Sequence, residues 1–409
     1  MPGLSSRSAI IFVIVCVAAI AAVSGLPLLE HASTPAPAAE PARPPQPPPD
    51  PLALVRWSVD DLRQLREAVA NAANEGLDSN DYDPDALDQL IRDKNTGPAA
   101  DAIADRSALA LAHDFALGRV TRRARFGWHI EQAPMPDALL HADLARAVRA
   151  QSVRAYLESL LPRDPRYRAL HSALADTPAD EADRRMALRA SMERWRWMPR
   201  ALGDDYVFVN IPAQQLALWQ GGSESTRHNV VVGKPSTPTP MLSAAISSID
   251  VNPWWTLPRS VLAEGKVRPG PGARARGYVF LKRGDRTVIR QRPGPNNALG
   301  RLKLDMPNPY AIYLHDTPAK WAFAKSDRAL SHGCIRVQDI NELARAIAPE
   351  QGDRIDAALA ATRNRRITPV RAIPVYIAYF TAAADPDGRV RIYPDLYKQD
   401  SRIVAALDS

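Results

Sequence analysis

The chain has 409 residues, a formal net charge of +7 and a pI near 9.5. That length suits two folded domains plus an accessory segment, and an apolar fraction of 46% supplies a sizeable core. Two cysteines exclude a disulfide-stapled fold, and no basic run with interleaved aromatics points to nucleic acid. The positive balance favours acidic partners, such as a carboxylate-rich polymer or an anionic surface, although an arginine-rich composition alone accounts for it equally well.

Arg7 precedes an almost unbroken apolar run over residues 9–23. Residues 1–29 therefore read as a secretory signal peptide or signal anchor, with Ala22-Val23-Ser24 as a small-residue cleavage site. Left uncleaved, residues 9–29 are long enough to span a bilayer and act as an inner-membrane anchor. Cys16 lies mid-run and reads as an apolar-like residue. Residues 34–51 hold nine prolines, so 30–52 are an extended spacer of about 3.1 Å per residue where polyproline-like.

Residues 53–200 read as helical. Ser58 can cap a helix whose Leu62, Leu65 and Val69 share a face, and Gly76 ends it. Asp83-Pro84 opens another, with Leu87, Leu90 and Ile91 on one side. Residues 108–117 and 139–160 continue in helical style. Residues 78–83 resemble a calcium loop but lack the glycine and a ligand at the required positions. Trp195 and Trp197, among arginines, read as core packing against the next domain. From residue 205 the period changes. Residues 206–211, 216–219 and 229–232 predict antiparallel hairpins, with strands at 310–315 and 374–381 and helices at 339–348 and 354–362. Loops are expected at 234–240, 252–258 and 267–277. The fold class is α+β, helical first and β-rich over 201–409.

Chemistry centres on Cys334, a lone thiol following Ser331-His332-Gly333 and leading into Ile335-Arg336-Val337. Strand alternation puts Cys334 and Arg336 on one face, and Tyr313 and His315 on one face of the other strand. A thiol is mostly protonated at neutral pH and needs a base to become a nucleophile. His315, nineteen positions upstream, is the preferred base and proton donor, with His332 as rival. Gly333 permits a turn, and the Gly333 and Cys334 amides are candidate oxyanion donors. Arg336 offers a planar fork for a substrate carboxylate. The alternatives are an inert buried cysteine and a zinc site of Cys334, His332 and His315, the latter lacking paired ligand spacing.

Ser331-His332-Gly333-Cys334-Ile335-Arg336-Val337, with His315 upstream, resembles the signature of the L,D-transpeptidases with a YkuD-type catalytic domain. Met192-Glu193-Arg194-Trp195-Arg196-Trp197-Met198-Pro199, Asn252-Pro253-Trp254-Trp255 and Tyr313-Leu314-His315-Asp316-Thr317-Pro318 are similar to the long, periplasmic, Gram-negative branch. Residues 62–120 resemble that branch's scaffold domain. The resemblance implies Cys334 as nucleophile and His315 as base. Ser331, His332 and Gly333 would frame the site, and Arg336 and Tyr313 would contact substrate. It implies peptidoglycan stem peptides as substrate, 3→3 crosslinks through a thioester, carbapenems as inhibitors, a periplasmic location and no cofactor or metal. An L,D-carboxypeptidase, a lipoprotein-anchoring transpeptidase and a non-catalytic wall-binding protein are the alternatives. Residues 161–185 are too few for the wall-binding module of long members, and the cap expected over 258–290 is short.

Overall fold

Ser58 starts the first helix by a reciprocal capping box. Its hydroxyl accepts the Asp61 N–H at 3.1 Å, and the Asp61 carboxylate accepts the Ser58 N–H at 3.0 Å. The computed structural model describes residues 56–409 apart from 264, 266 and 285, so the expected signal segment and the Pro/Ala-rich spacer lie outside the described residues. Seven helices follow in the first region: α1 (Val59–Asn71), α2 (Pro84–Arg92), α3 (Pro98–Leu117), α4 (Asp137–Arg149), α5 (Val153–Ser159), α6 (Pro165–Ala175) and α7 (Ala182–Arg196). Leu62, Leu65 and Val69 are fully buried, as their spacing requires. A short β1 (Trp128–His129) interrupts the helices. The helical stretch expected over 139–160 is broken in two, because Gln151 takes φ +53° between α4 and α5. Asp78 uses its carboxylate to cap the Asn80 N–H at 2.9 Å, opening a short 3₁₀ turn at 79–82.

Helix α7 is the hub of the molecule. Glu193, fully buried, accepts the Val120 N–H at 2.8 Å and the Trp197 indole N–H at 3.0 Å, and pairs with Arg196 at 2.9 Å. Arg196 reaches the Glu75 carbonyl and the Tyr167 hydroxyl, while Arg194 pairs with Asp400 at 2.7 Å. Trp197 packs edge-on to Trp128 with ring centres 5.2 Å apart. The arginines and tryptophans of this segment are interior joints.

The second region supplies β2 (Tyr206–Asn210), β3 (Gln215–Gln220), β4 (Ser223–Gly233), β5 (Met241–Ile246), β6 (Ser248–Val251), β7 (Trp255–Thr256), α8 (Arg259–Ala263), α9 (Pro271–Ala275), β8 (Tyr278–Arg283), β9 (Arg286–Gln291), β10 (Leu302–Asp305), β11 (Leu314–His315), β12 (Ala329–Ser331), β13 (Ile335–Val337), α10 (Ile340–Ile347), α11 (Gly352–Ala360), β14 (Arg365–Ile367), β15 (Ile373–Ala378), β16 (Ala382–Ala384), β17 (Val390–Ile392) and α12 (Asp400–Leu407). The predicted hairpins β2–β3 and β3–β4 are antiparallel. α9 falls inside the stretch expected to be loop at 267–277, started by Pro271 at its first turn. Among the described residues the main sheet runs β1-β5-β15-β2-β3-β4-β13-β11-β10-β6-β14, with β12 beside β4. Strands β7, β9 and β8 form a separate small sheet. β1 joins the main sheet alongside β5, with Trp128 level with Met241, so the helical region contributes a strand to the β-rich one. Among the described residues no helix is long and apolar enough to cross a membrane.

Candidate active site

β11 and β13 run parallel, with Leu314 opposite Ile335 and His315 opposite Arg336. Leu314, Ile335 and Val337 are fully buried on the core face. Alternation therefore sends Tyr313, His315, Cys334 and Arg336 to the other face. Cys334 precedes β13 by one residue and is level with Tyr313, which places the thiol diagonally across from His315. Diagonal neighbours on a sheet face lie roughly 7–8 Å apart at the backbone. The strand expected over 310–315 is shorter than its pattern implies. The Asn308 side chain accepts the Tyr310 and Ile312 N–H groups and donates to the Met306 and Ile312 carbonyls, and Ala311 takes φ +53°. That side-chain-stapled turn uses the backbone groups a ladder would need.

The turn before Cys334 is tightly held. The Ser331 hydroxyl accepts the Gly333 N–H at 3.1 Å and donates to the Cys334 carbonyl at 2.6 Å. Thr239 accepts the Gly233 N–H at 2.9 Å and donates to the Gly333 carbonyl at 2.7 Å. Gly333 takes φ +114°, a conformation that L residues rarely adopt. The Gly333 amide, expected as an oxyanion donor, is thus committed to Ser331. The Cys334 amide has no protein acceptor among the described residues. His332 sits half-buried inside the turn.

His315 is buried, and its Nδ1 lies against the Asp316 carbonyl. A carbonyl only accepts, so Nδ1 carries the proton and Nε2 keeps the lone pair. Burial, then the Arg336 charge, pushes the imidazole down to about 3, so it is neutral at physiological pH. Burial pushes the half-buried Cys334 thiol above its ordinary value, against the pull of the Tyr313 backbone and side chain, Lys303 and Arg336. The resting pair is neutral thiol and neutral imidazole. The Cys334 thiol donates to the Ala311 carbonyl at 3.8 Å, and burial, then the neighbouring Cys334, raises the Tyr313 hydroxyl above its ordinary value.

Cross-strand register adds a residue that the sequence reading missed. Arg366, Asp250, Lys303, His315 and Arg336 are successive partners across β14, β6, β10, β11 and β13 and so share one face. Lys303 pairs with Asp305 at 2.7 Å and holds its ammonium 4.5 Å from the centre of the Tyr313 ring. The alternation Leu302-Lys303-Leu304-Asp305 carried the signal, since it buries both leucines and turns Lys303 to the site. The half-buried Arg336 guanidinium has no hydrogen-bond acceptor among the described residues, and burial lowers its pKa.

A cavity of about 690 Å³ lies elsewhere, between the start of α6 and strands β2 to β4. Its charges are satisfied internally, with Arg166 on Asp164 at 2.7 Å and Arg227 on Glu224 at 2.7 Å, and no cysteine or histidine lines it. Size does not make it the reaction site. The chemistry belongs to the turn and the two parallel strands.

Residues 204–374 match the family model of the L,D-transpeptidase catalytic domain (YkuD), and residues 56–174 match that of the scaffold domain. The catalytic region belongs to the YkuD L,D-transpeptidase family. A Haemophilus influenzae protein named "Putative L,D-transpeptidase" is 31% identical over 221 residues, covering 48% of this chain and 45% of that protein. The chain therefore spans less than half the length of that relative. Similar solved structures include an L,D-transpeptidase from Mycobacterium smegmatis (13% identity, TM-score 0.24, 43% of this chain and 58% of that one). The catalytic domain of the E. faecium L,D-transpeptidase acylated by ertapenem is another (14% identity, TM-score 0.22, 44% of this chain and 99% of that one). These likenesses are too slight to carry an argument about the site. In this L,D-transpeptidase domain, all seven residues expected at the site lie on or beside the β11–β13 pair and the turn that leads into it.

Proposed function

We propose that the chain is a peptidoglycan L,D-transpeptidase that forms 3→3 crosslinks through a Cys334 thioester. The observation that carries this reading is the fixed Nε2 lone pair of His315 on the same sheet face as a thiol held in place by the Ser331 turn. The Cys334 proton passes to Nε2 as the sulfur attacks the carbonyl at the L-centre of a stem-peptide diamino acid. Because both groups rest neutral, proton transfer accompanies attack. The Cys334 N–H faces the developing oxyanion, with Lys303 and Arg336 supplying positive potential. Collapse breaks the C–N bond to D-alanine, and His315 returns the proton to the departing amine. The side-chain amine of a second stem then attacks the thioester, gives its proton to Nε2, and the thiol leaves reprotonated. No cofactor or metal enters the cycle.

Arg336 receives a substrate carboxylate, since its guanidinium is half-buried and without a protein acceptor among the described residues. Tyr313 lines the acyl site beside the sulfur. Reading residues 1–29 as an export segment places the reaction in the periplasm, free or tethered to the inner membrane. A carbapenem, whose strained amide offers the same electrophile, acylates Cys334. Incubation of the purified protein with tetrapeptide muropeptides tests the proposal. Crosslinked dimers form with the wild type and disappear in Cys334→Ala. Tripeptide monomers alone would reassign the chain as a carboxypeptidase, and no product at all would leave it a binding protein.

A further inference from the structure

Residues 258–292 contain ten Lys/Arg against two Asp/Glu, an excess of +8, while the whole chain carries only +7. The rest of the chain, with 42 cations and 43 anions, has a net charge of −1. All of the positive balance therefore belongs to one segment, which includes α8, α9 and strands β8 and β9 of the small sheet. Arg268, Arg274, Arg276, Lys282, Arg283 and Arg292 are exposed, and none forms an ion pair among the described residues. Arg290 lies 4.8 Å from the centre of the exposed Trp254 ring, and its Nε is buried without a hydrogen-bond partner. Outside the segment, arginines such as Arg154, Arg227 and Arg366 pair with carboxylates, while others such as Arg92, Arg122 and Arg389 form no ion pair among the described residues.

Protection of a sheet edge accounts for part of this charge. Lys282 and Arg283 lie on β8, an edge strand, where cations deter pairing with another chain. It does not account for Arg268, Arg274, Arg276 or Arg292, which lie outside the strands. The position of the sheet is informative. Trp255 on β7 pairs with Gln291 on β9, and both Trp255 and Cys334 act on the Tyr313 hydroxyl. The cationic sheet therefore lies beside the residues around the nucleophile.

We infer that this sheet is a docking surface for a polycarboxylate, namely the peptide arms of polymeric peptidoglycan around the one being cut. The inference rests on the transpeptidase reading. Unpaired cations concentrated in one small subdomain raise the local concentration of a polyanion, and several weak contacts with one polymer add up to avidity. Exposed charges of this kind are screened by salt within about 10 Å at 0.1 M. The surface acts on polymer and leaves the chemistry at Cys334 untouched.

The test is co-sedimentation of the full-length chain, in a non-ionic detergent and with Cys334→Ala to remove turnover, with purified insoluble peptidoglycan. Binding should fall about tenfold in the variant R274E/R276E/K282E/R283E, and wild-type binding should weaken steeply as salt rises. Peptidoglycan whose carboxylates have been amidated should bind as poorly as the variant does. Equal binding by wild type and variant, equal binding to amidated polymer, or a preference for vesicles of anionic phospholipid would each overturn the inference. An unchanged melting temperature shows that the variant is folded, and Gln at the same four positions serves if Glu does not fold. Crosslinking of soluble muropeptides reports on the transpeptidase reading separately, because it does not need the polymer surface.

Discussion

At the residue scale, His315 and Cys334 are set against forming an ion pair at rest. Burial and the Arg336 charge lower the imidazole to about 3, and burial raises the thiol. A raised thiol pKa means less thiolate at any given pH, and an imidazole already neutral cannot supply a charge to offset it. Alkylation of Cys334 by iodoacetamide should therefore be slow at pH 7 and climb through and beyond the ordinary thiol range. A plateau reached below pH 7 would show a preformed thiolate–imidazolium pair and contradict this electrostatic account. Reactivity is kept for a substrate that lets the proton move as the sulfur attacks, which also protects a lone thiol from adventitious oxidants. Ser331 contributes by geometry alone, holding the Gly333 N–H and the Cys334 carbonyl with one hydroxyl.

At the scale of elements, α7 couples the helices to the sheet through buried charges. Glu193 has three partners and no exposure, and Arg196 is equally buried. Glu193→Ala leaves the Arg196 guanidinium without its carboxylate and the Val120 N–H and Trp197 indole unpaired. The cost should be about 3–5 kcal/mol, read as a drop in the denaturation midpoint, with loss of the folded state as the extreme. A change below about 1 kcal/mol would show that the joint is dispensable. Much of this scale was legible in the sequence. The capping box at Ser58, Pro84 at the start of α2, the β2–β3–β4 hairpins and the alternation through Cys334-Ile335-Arg336-Val337 follow from local rules. What escaped were features settled by other parts of the chain. The Asn308 turn shortened β11 by spending backbone groups locally. Lys303 entered the site only through its register with His315. The Gly333 amide was taken by a neighbouring hydroxyl. None of these has a signature within a short window, because each depends on which backbone groups remain free after folding.

At the scale of the whole molecule, one sheet face carries Tyr313, His315, Cys334 and Arg336 while its other face is core. The helical region adds β1 to the edge of that sheet and packs Trp197 against Trp128, so it is part of the frame that holds the strands in register. The small cationic sheet carries Trp255, which acts on the Tyr313 hydroxyl beside Cys334. On the proposed reading, a charged surface, a positioned thiol and an imidazole with a fixed tautomer form one path from polymer to chemistry. All of this depends on Cys334 accepting an acyl group. The intact mass of the protein after exposure to a carbapenem is the most direct test. The wild type should gain the mass of one inhibitor molecule, and Cys334→Ala should gain none. A wild type that stays unmodified, or an adduct that persists in Cys334→Ala, would contradict the assignment of this sulfur as the nucleophile.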